Sequence, residues 1–322
     1  MVAVARADDG LRLDRWFKQH YPALTHGQLQ KMLRKGQVRV DGGRVDAARR
    51  LAPGETVRVP PMPAAPGDEG ARAAPRRADP SEVRGLVLWE DEHTIALNKP
   101  FGLPVQGGSK VTRHLDGMLD GLMLDGLAPR DGKGSGERPR LVHRLDKDTG
   151  GLLLLGKTRL AAKTLGDAFQ RHEIEKTYWA LTAGVPHPLR GRIDAPVGKT
   201  GEPGEERVAQ GAGKRALTDY QVIESAGTKA AFVALRPLTG RTHQLRVHMQ
   251  ALGTPIIGDG KYGGARAKVE GMAPRLHLFC RAMTFPSGGR RVTVEAPLTG
   301  HMARAWGFLS LPEDTELEWP DA

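Results

Sequence analysis

The sequence predicts an α+β protein of two domains, the larger built on a mixed, largely antiparallel sheet flanked by helices and loops. Three observations predict it. Between Pro60 and Pro80 the text PPMPAAPGDEGARAAPRRADP replaces apolar periodicity with Pro, Ala, Gly and charge, as a linker does. Beyond it, short apolar runs bounded by turn signals outnumber helical patterns. Across 322 residues, 41 glycines and 23 prolines demand many turns, while an apolar share of 39% still supports a packed core.

The expected division is a domain at 1–60, a linker at 61–80 and a main body at 81–322. In the first domain Leu11, Leu13, Trp16 and Phe17 open one amphipathic helix. Thr25 can cap a second, with Leu29, Met32 and Leu33 on one face and Gly36 at its end. Val38 and Val40 then alternate with Gln37 and Arg39, Asp41-Gly42 turns the chain, and Thr56 to Val59 supplies another strand. In the main body LVLWE and TIALN flank Asp91-Glu92-His93 as a hairpin, and Lys99-Pro100-Phe101-Gly102 breaks its second strand. Further strands are expected over 176–182, 216–223, 230–235, 276–284 and 291–295, and 107–140 reads as a surface insertion rich in Gly, Asp and Arg.

Composition excludes several classes of function. Lys plus Arg number 48 against 37 Asp plus Glu, a net charge of +11, which suits a polyanionic partner. Of that excess, +6 falls within residues 1–60, where Lys31, Arg34 and Lys35 on a helix and Arg39 on a strand make a compact surface for phosphates. With one cysteine, Cys280, the chain can form no internal disulfide and no thiolate metal site, and a reducing cytoplasm is expected. The opening MVAVARADDG lacks the apolar core of a signal peptide, and the longest aliphatic run is Leu152 to Leu155, so no membrane span is expected. His243 and His248 are five apart with no glutamate between them, which does not suit a metalloprotease helix. The glycine-rich stretch from Gly198 to Gly213 lacks the strand-to-helix setting of a phosphate loop and reads as loops.

Two stretches are chemically dense. In LVHRLDKDTGGLLLLGKT, from Leu141 to Thr158, six polar residues precede an aliphatic strand that must be buried, so the loop bearing Asp146 is pinned against the core and partly desolvated. Asp148 lies too close to Asp146 for an inverting glycosidase pair. In LTGRTHQLRVHMQALG, from Leu238 to Gly253, Thr239 or Gly240 can cap a helix with Leu245, Met249 and Leu252 on one stripe. Arg241 then falls in the first turn, where a cation needs an anionic partner. Asp146 is the candidate; spacing alone leaves open whether the pair is catalytic or structural. On the strand from 176, alternation separates Tyr178, free for a pocket, from Trp179 and Leu181, which suit the core.

Residues 11–60 resemble an S4 RNA-binding domain, on the Arg12-Leu13-Asp14 opening and the Gln30-Lys31-Met32-Leu33 helix. The motif HRLDKDTGGL, His143 to Leu152, resembles the signature of the RluA-type pseudouridine synthase family. Supporting blocks follow in order: EDEHTIALNKPFGLP, Lys176-Thr177-Tyr178, GRTHQLRVH, and Gly258-Asp259 through Tyr262-Gly263. Gly150 departs from the pattern, which usually has serine there. The resemblance implies isomerisation of uridines, in 23S rRNA of the large subunit, by a cytoplasmic monomer that needs no cofactor, metal or obligate protein partner. It implies Asp146 as catalytic aspartate, Tyr178 as active-site tyrosine, Arg241 as the ion-pair partner of Asp146 and Leu245 as an apolar pocket wall. His143 and Arg144 border that pocket, Arg144 where it can fill the space left by a flipped base.

Overall fold

The computed structural model describes residues 1–21, 24, 26–60, 80–107, 111, 113–124, 137–200, 207–211 and 213–320. Two compact units divide at Ala74 and Pro75. That point, and with it the expected linker up to residue 79, lies outside the described residues.

In the first unit the helices Leu13–His20 and His26–Arg34 bury Leu13, Trp16, Phe17, Leu29 and Leu33 against a three-stranded sheet. The expected Thr25 cap lies outside the described residues. Gly36, at φ +66°, closes the second helix, and the amide of Gln37 donates to the Met32 carbonyl at 2.9 Å. Asp41 and Gly42 both have positive φ, as a tight hairpin turn requires. Strand Thr56–Arg58 lies centrally, with Arg39–Val40 on one side and Val2–Ala3 on the other. The latter strand was not expected, being too short to show alternation.

The second unit is organised by a ten-stranded sheet in which one pairing is parallel, that between Gly150–Gly156 and Leu278–Ser287. The expected hairpin is present as Val87–Glu90 and Thr94–Lys99, and the strands Glu175–Ala183, Leu217–Ala226, Ala230–Pro237 and Arg290–Glu295 match the remaining expectations. Every residue of Gly150–Gly156 is buried, which anchors the polar loop that feeds it. Stacked Trp179 and Trp306, with Phe232 edge-on to both, fill the core on one side of the sheet. No helix among the described residues is long and apolar enough to cross a membrane.

Three expectations fail here. Residues 113–124 are not a surface insertion: the helices Leu115–Met118 and Gly121–Leu124 bring Leu115, Leu119 and Leu122 into the main core, and Arg138 holds Asp116 and Asp120 beside them. Their glycines and charges hid leucines spaced at i, i+4 and i+7. The stretch 197–210 is not plain loop, because Val197–Thr200 and Arg207–Gln210 pair as a hairpin. The helix of the second dense stretch is Gln244–Ala251, starting three or four residues later than expected. The Gln244 side chain accepts from the Arg241 amide and the Thr239 hydroxyl and donates to Leu217 and Thr218, so it fixes the preceding turn from inside and delays the helix.

Candidate active site

Asp146 is held by its neighbours in sequence and by a lysine from the hairpin. The Thr149 amide donates to its carbonyl, and the loop then enters the parallel strand pair. At Gly151, with φ +101°, a Cβ would collide with the Cys280 carbonyl, so only glycine lets the two strands approach there. At Gly150 a Cβ would lie 2.8 Å from the Phe101 ring, which occupies the space a serine would need. Lys99, with 0% exposure, donates to the carbonyls of Pro100, Leu103 and Lys147 at 3.0–3.2 Å, while Lys147 also accepts from the Gly102 amide. Burial brings the Lys99 ammonium down to about 8, against the pull of Asp148 and Asp146. The first dense stretch is thus tied to the Lys-Pro-Phe-Gly turn by hydrogen bonds to a buried cation.

The Asp146 side chain is 22% exposed, and its Oδ2 lies 3.6 Å from His243 Nε2. His243 caps the helix Gln244–Ala251 in the left-handed region, φ 55°, and its other ring nitrogen bonds the Tyr262 hydroxyl at 2.5 Å. Burial lowers the His243 pKa, opposed by Asp146 and reinforced by Arg246 and Lys261. Arg246, 9% exposed, forms a two-pronged pair with Asp259 at 2.7 and 2.9 Å and lies over the Tyr262 ring at 4.9 Å. Burial opposes the Arg246 charge, but Asp259 and, after it, Asp146 stabilise it, so its pKa is raised. Asp259 in turn accepts from the amides of Lys261 and Tyr262.

A cavity of about 590 Å³ opens on one side of Asp146, within the usual range for small-molecule sites. Tyr178, Leu245 and Leu278 give it apolar walls, and Arg144, Lys176 and Arg241 give it cations. Tyr178 is half-buried, opposite Cys280 across the strand pair, and burial, the Cys280 thiol and Asp146 all push its phenol well above the ordinary range. Trp179 and Leu181 face the core, as alternation predicts. His143 Nε2 accepts from the Leu154 amide at 2.8 Å and its ring stacks on Phe169. Arg144 is exposed at the cavity mouth.

Arg241 requires correction. It stands on the cavity wall, but its Nε donates to the Arg215 carbonyl at 3.3 Å, and among the described residues the basic side chain within 4 Å of the Asp146 carboxylate is His243. Because the helix starts at Gln244, Arg241 lies outside its first turn and the dipole argument does not apply. The buried arginine near Asp146 is Arg246, five residues on. Its position three before Met249 puts it beside the buried stripe, which is the signal in the sequence for its burial. Of the basic residues in the first unit, Lys31, Arg34 and Lys35 are exposed, whereas Arg39 is half-buried and donates to the carbonyls of Gly36 and Gly42. Its charge is committed to the hairpin turn.

The chain belongs to the RNA pseudouridylate synthase family, whose model matches residues 93–251, and an S4 domain model matches 11–57. A ribosomal large subunit pseudouridine synthase C of Rickettsia bellii is 32% identical over 94% of this chain and 100% of its own length. The protein of that name from Salmonella typhimurium is 33% identical over 94% of both chains. Among solved structures, the human RNA pseudouridylate synthase domain containing 4 protein aligns with a TM-score of 0.59 and 27% identity, over 73% of this chain and 97% of that one.

Proposed function

We propose that the protein converts particular uridines of large-subunit rRNA to pseudouridine, with Asp146 acting on a nucleotide turned out of its stack into the cavity. The observation that carries this reading is the placement of Asp146: on the rim of a partly apolar cavity, near two buried or half-buried basic groups, and not clamped by either. The names of the relatives support the choice of RNA.

The reaction breaks the bond from ribose C1′ to uracil N1, turns the base in place and joins C1′ to C5. It is an isomerisation, with no net gain or loss of atoms. Positive charge builds at C1′ as the first bond breaks, and an aimed carboxylate stabilises or traps it. His243, within 3.6 Å, and the charge of Arg246 orient the Asp146 side chain. Water must be kept out, or the sugar is hydrolysed, and Tyr178, Leu245 and Leu278 supply the walls that exclude it while the detached base rotates. Tyr178 stays protonated at neutral pH, so it packs against the base and does not start the reaction as a phenolate. Once C1′ and C5 are joined, Asp146 or a water then admitted takes the C5 proton, and N1 gains one, so the count of atoms is unchanged.

Extruding the nucleotide costs a few kcal/mol, which Arg144 offsets by entering the gap. The first unit adds affinity for RNA through Lys31, Arg34 and Lys35, contacts that carry little sequence information. Mapping pseudouridines in rRNA and tRNA from cells that carry the gene, lack it, or carry Asp146→Asn tests the proposal. Sites lost equally in the second and third are expected in large-subunit rRNA. Full modification in the Asp146→Asn cells would overturn it.

A further inference from the structure

Asp146 stands between two cavities. The second, about 880 Å³, opens beyond the loop that carries Asp146 and shares Arg144, Asp146, His243 and Arg246 with the first. Both hold cations, with Arg144, Lys176, Arg241 and Arg246 lining the first, but the second lacks the walls that Tyr178, Leu245 and Leu278 give the first. Arg144, Lys147, Arg246, Lys261 and Arg275 face the second, against the carboxylates Asp146 and Asp148. Of these five cations, Arg246 alone has a carboxylate within 4 Å among the described residues, and the other four are exposed. Elsewhere in this unit exposed arginines such as Arg113, Arg171, Arg190 and Arg215 lie against acidic side chains. The four exposed cations at the second cavity have no such partner among the described residues.

One wall is aromatic. Phe101 is half-buried, packed 4.3 Å from the His301 ring and 5.8 Å from Phe279, and it sits where any side chain at position 150 would intrude. Gly150 therefore lets this ring lie in the wall of the second cavity.

We propose that the second cavity is the track for the RNA strand running on from the target nucleotide, with Lys147, Lys261 and Arg275 taking its phosphodiesters and Phe101 the face of the adjoining base. The inference rests on the reading of the first cavity as the seat of the uracil. With the base there and C1′ at Asp146, the ribose lies at the seam, and its phosphates must leave away from Tyr178, Leu245 and Leu278. The second cavity adjoins the seam without those apolar walls and offers the phosphates the exposed Lys147, Lys261 and Arg275, and base–aromatic stacking suits a strand that must be single where the target is turned out. Asp148, next to Lys147, weakens the lysine's hold on a phosphate, so Lys261 and Arg275 carry the larger effects.

The full-length protein is assayed on an rRNA fragment that it modifies. Lys261→Gln and Arg275→Gln are each expected to raise KM about three- to tenfold, more than they lower kcat. Each should also flatten the dependence of log kcat/KM on log salt by about 0.7, the counterion release of one single-strand phosphate contact. Lys229→Gln, which removes a charge from an exposed turn between two strands, is the control. A neutral methylphosphonate on one side of the target uridine should impair the unaltered protein as the variants do and add nothing to the loss in the Lys261→Gln/Arg275→Gln double variant. If the unaltered protein makes pseudouridine while both variants match Lys229→Gln, the track is overturned and the reading of the first cavity stands. If the unaltered protein makes none in any RNA, that reading falls and the track with it.

Discussion

Asp146 and Asp219 are both aspartates of the second unit with arginines nearby, and they are treated in opposite ways. Asp219, in strand Leu217–Ala226, has 0% exposure and accepts from Arg192 and Arg236 through four hydrogen bonds of 2.7–3.3 Å. Its lone pairs are filled, which is what a buried carboxylate needs to be tolerated. Asp146 keeps 22% exposure and only a 3.6 Å approach from His243, because the nearby guanidinium of Arg246 is already occupied by Asp259. A saturated carboxylate joins strands; an unsaturated one in a field of positive charge remains available to a substrate. The first arrangement lowers the energy of the fold, while the second leaves a group poised at some cost to it.

Swapping each side chain for its amide separates the two roles. Asp146→Asn should cut pseudouridine formation at least about 10³-fold, on the order of 4 kcal/mol of barrier, with the thermal midpoint hardly moved. A folded variant with more than a tenth of normal turnover would break the comparison. Asp219→Asn should do the reverse, destabilising the unit by about 2–4 kcal/mol in denaturant titration, since two arginines lose their counter-ion, while turnover per folded molecule is retained. Arg246→Gln lies between: Asp259 is left buried and unpaired and Asp146 loses a supporting charge, so both stability, by about 3 kcal/mol, and turnover, by about tenfold, should fall.

Gly150→Ser sharpens the picture further. Its Cβ must displace Phe101, and overpacking of this kind costs about 1–3 kcal/mol, read as a lower midpoint in urea. Mild acid probes the second unit without any substitution. Burial lowers His143 to about 3 and His277 to about 4, so between pH 6.5 and 4 the unfolded chain takes up protons that the folded one refuses. Stability present above pH 6.5 is therefore lost as pH falls, by up to about 1.4 kcal/mol per pH unit for each histidine. His143→Gln should flatten urea midpoints measured over that window.

The sheet was largely legible because each strand carried its own evidence. Trp179 and Leu181 alternate with Tyr178, and Leu152 to Leu155 could only be buried. The motif that brought Asp146 to attention was legible too, since polar residues crowd against a strand that cannot be exposed. What the text hid depended on contacts far apart in sequence. Arg246 looks like any helical arginine until Asp259 is placed opposite it, and the late start of its helix depends on Gln244 reaching Leu217 and Thr218. The core role of Leu115, Leu119 and Leu122 was masked by the glycines and charged residues between them in sequence.

The ammonium of Lys99 has a value of about 8, only a little above neutrality, and it ties the Lys-Pro-Phe-Gly turn to the carbonyl of Lys147, the residue after Asp146. Mildly alkaline solution therefore removes its charge without unfolding anything else, and the ion–dipole tether to the neighbouring peptide groups weakens. Turnover should fade reversibly above about pH 8 through slackening of the scaffold behind the carboxylate.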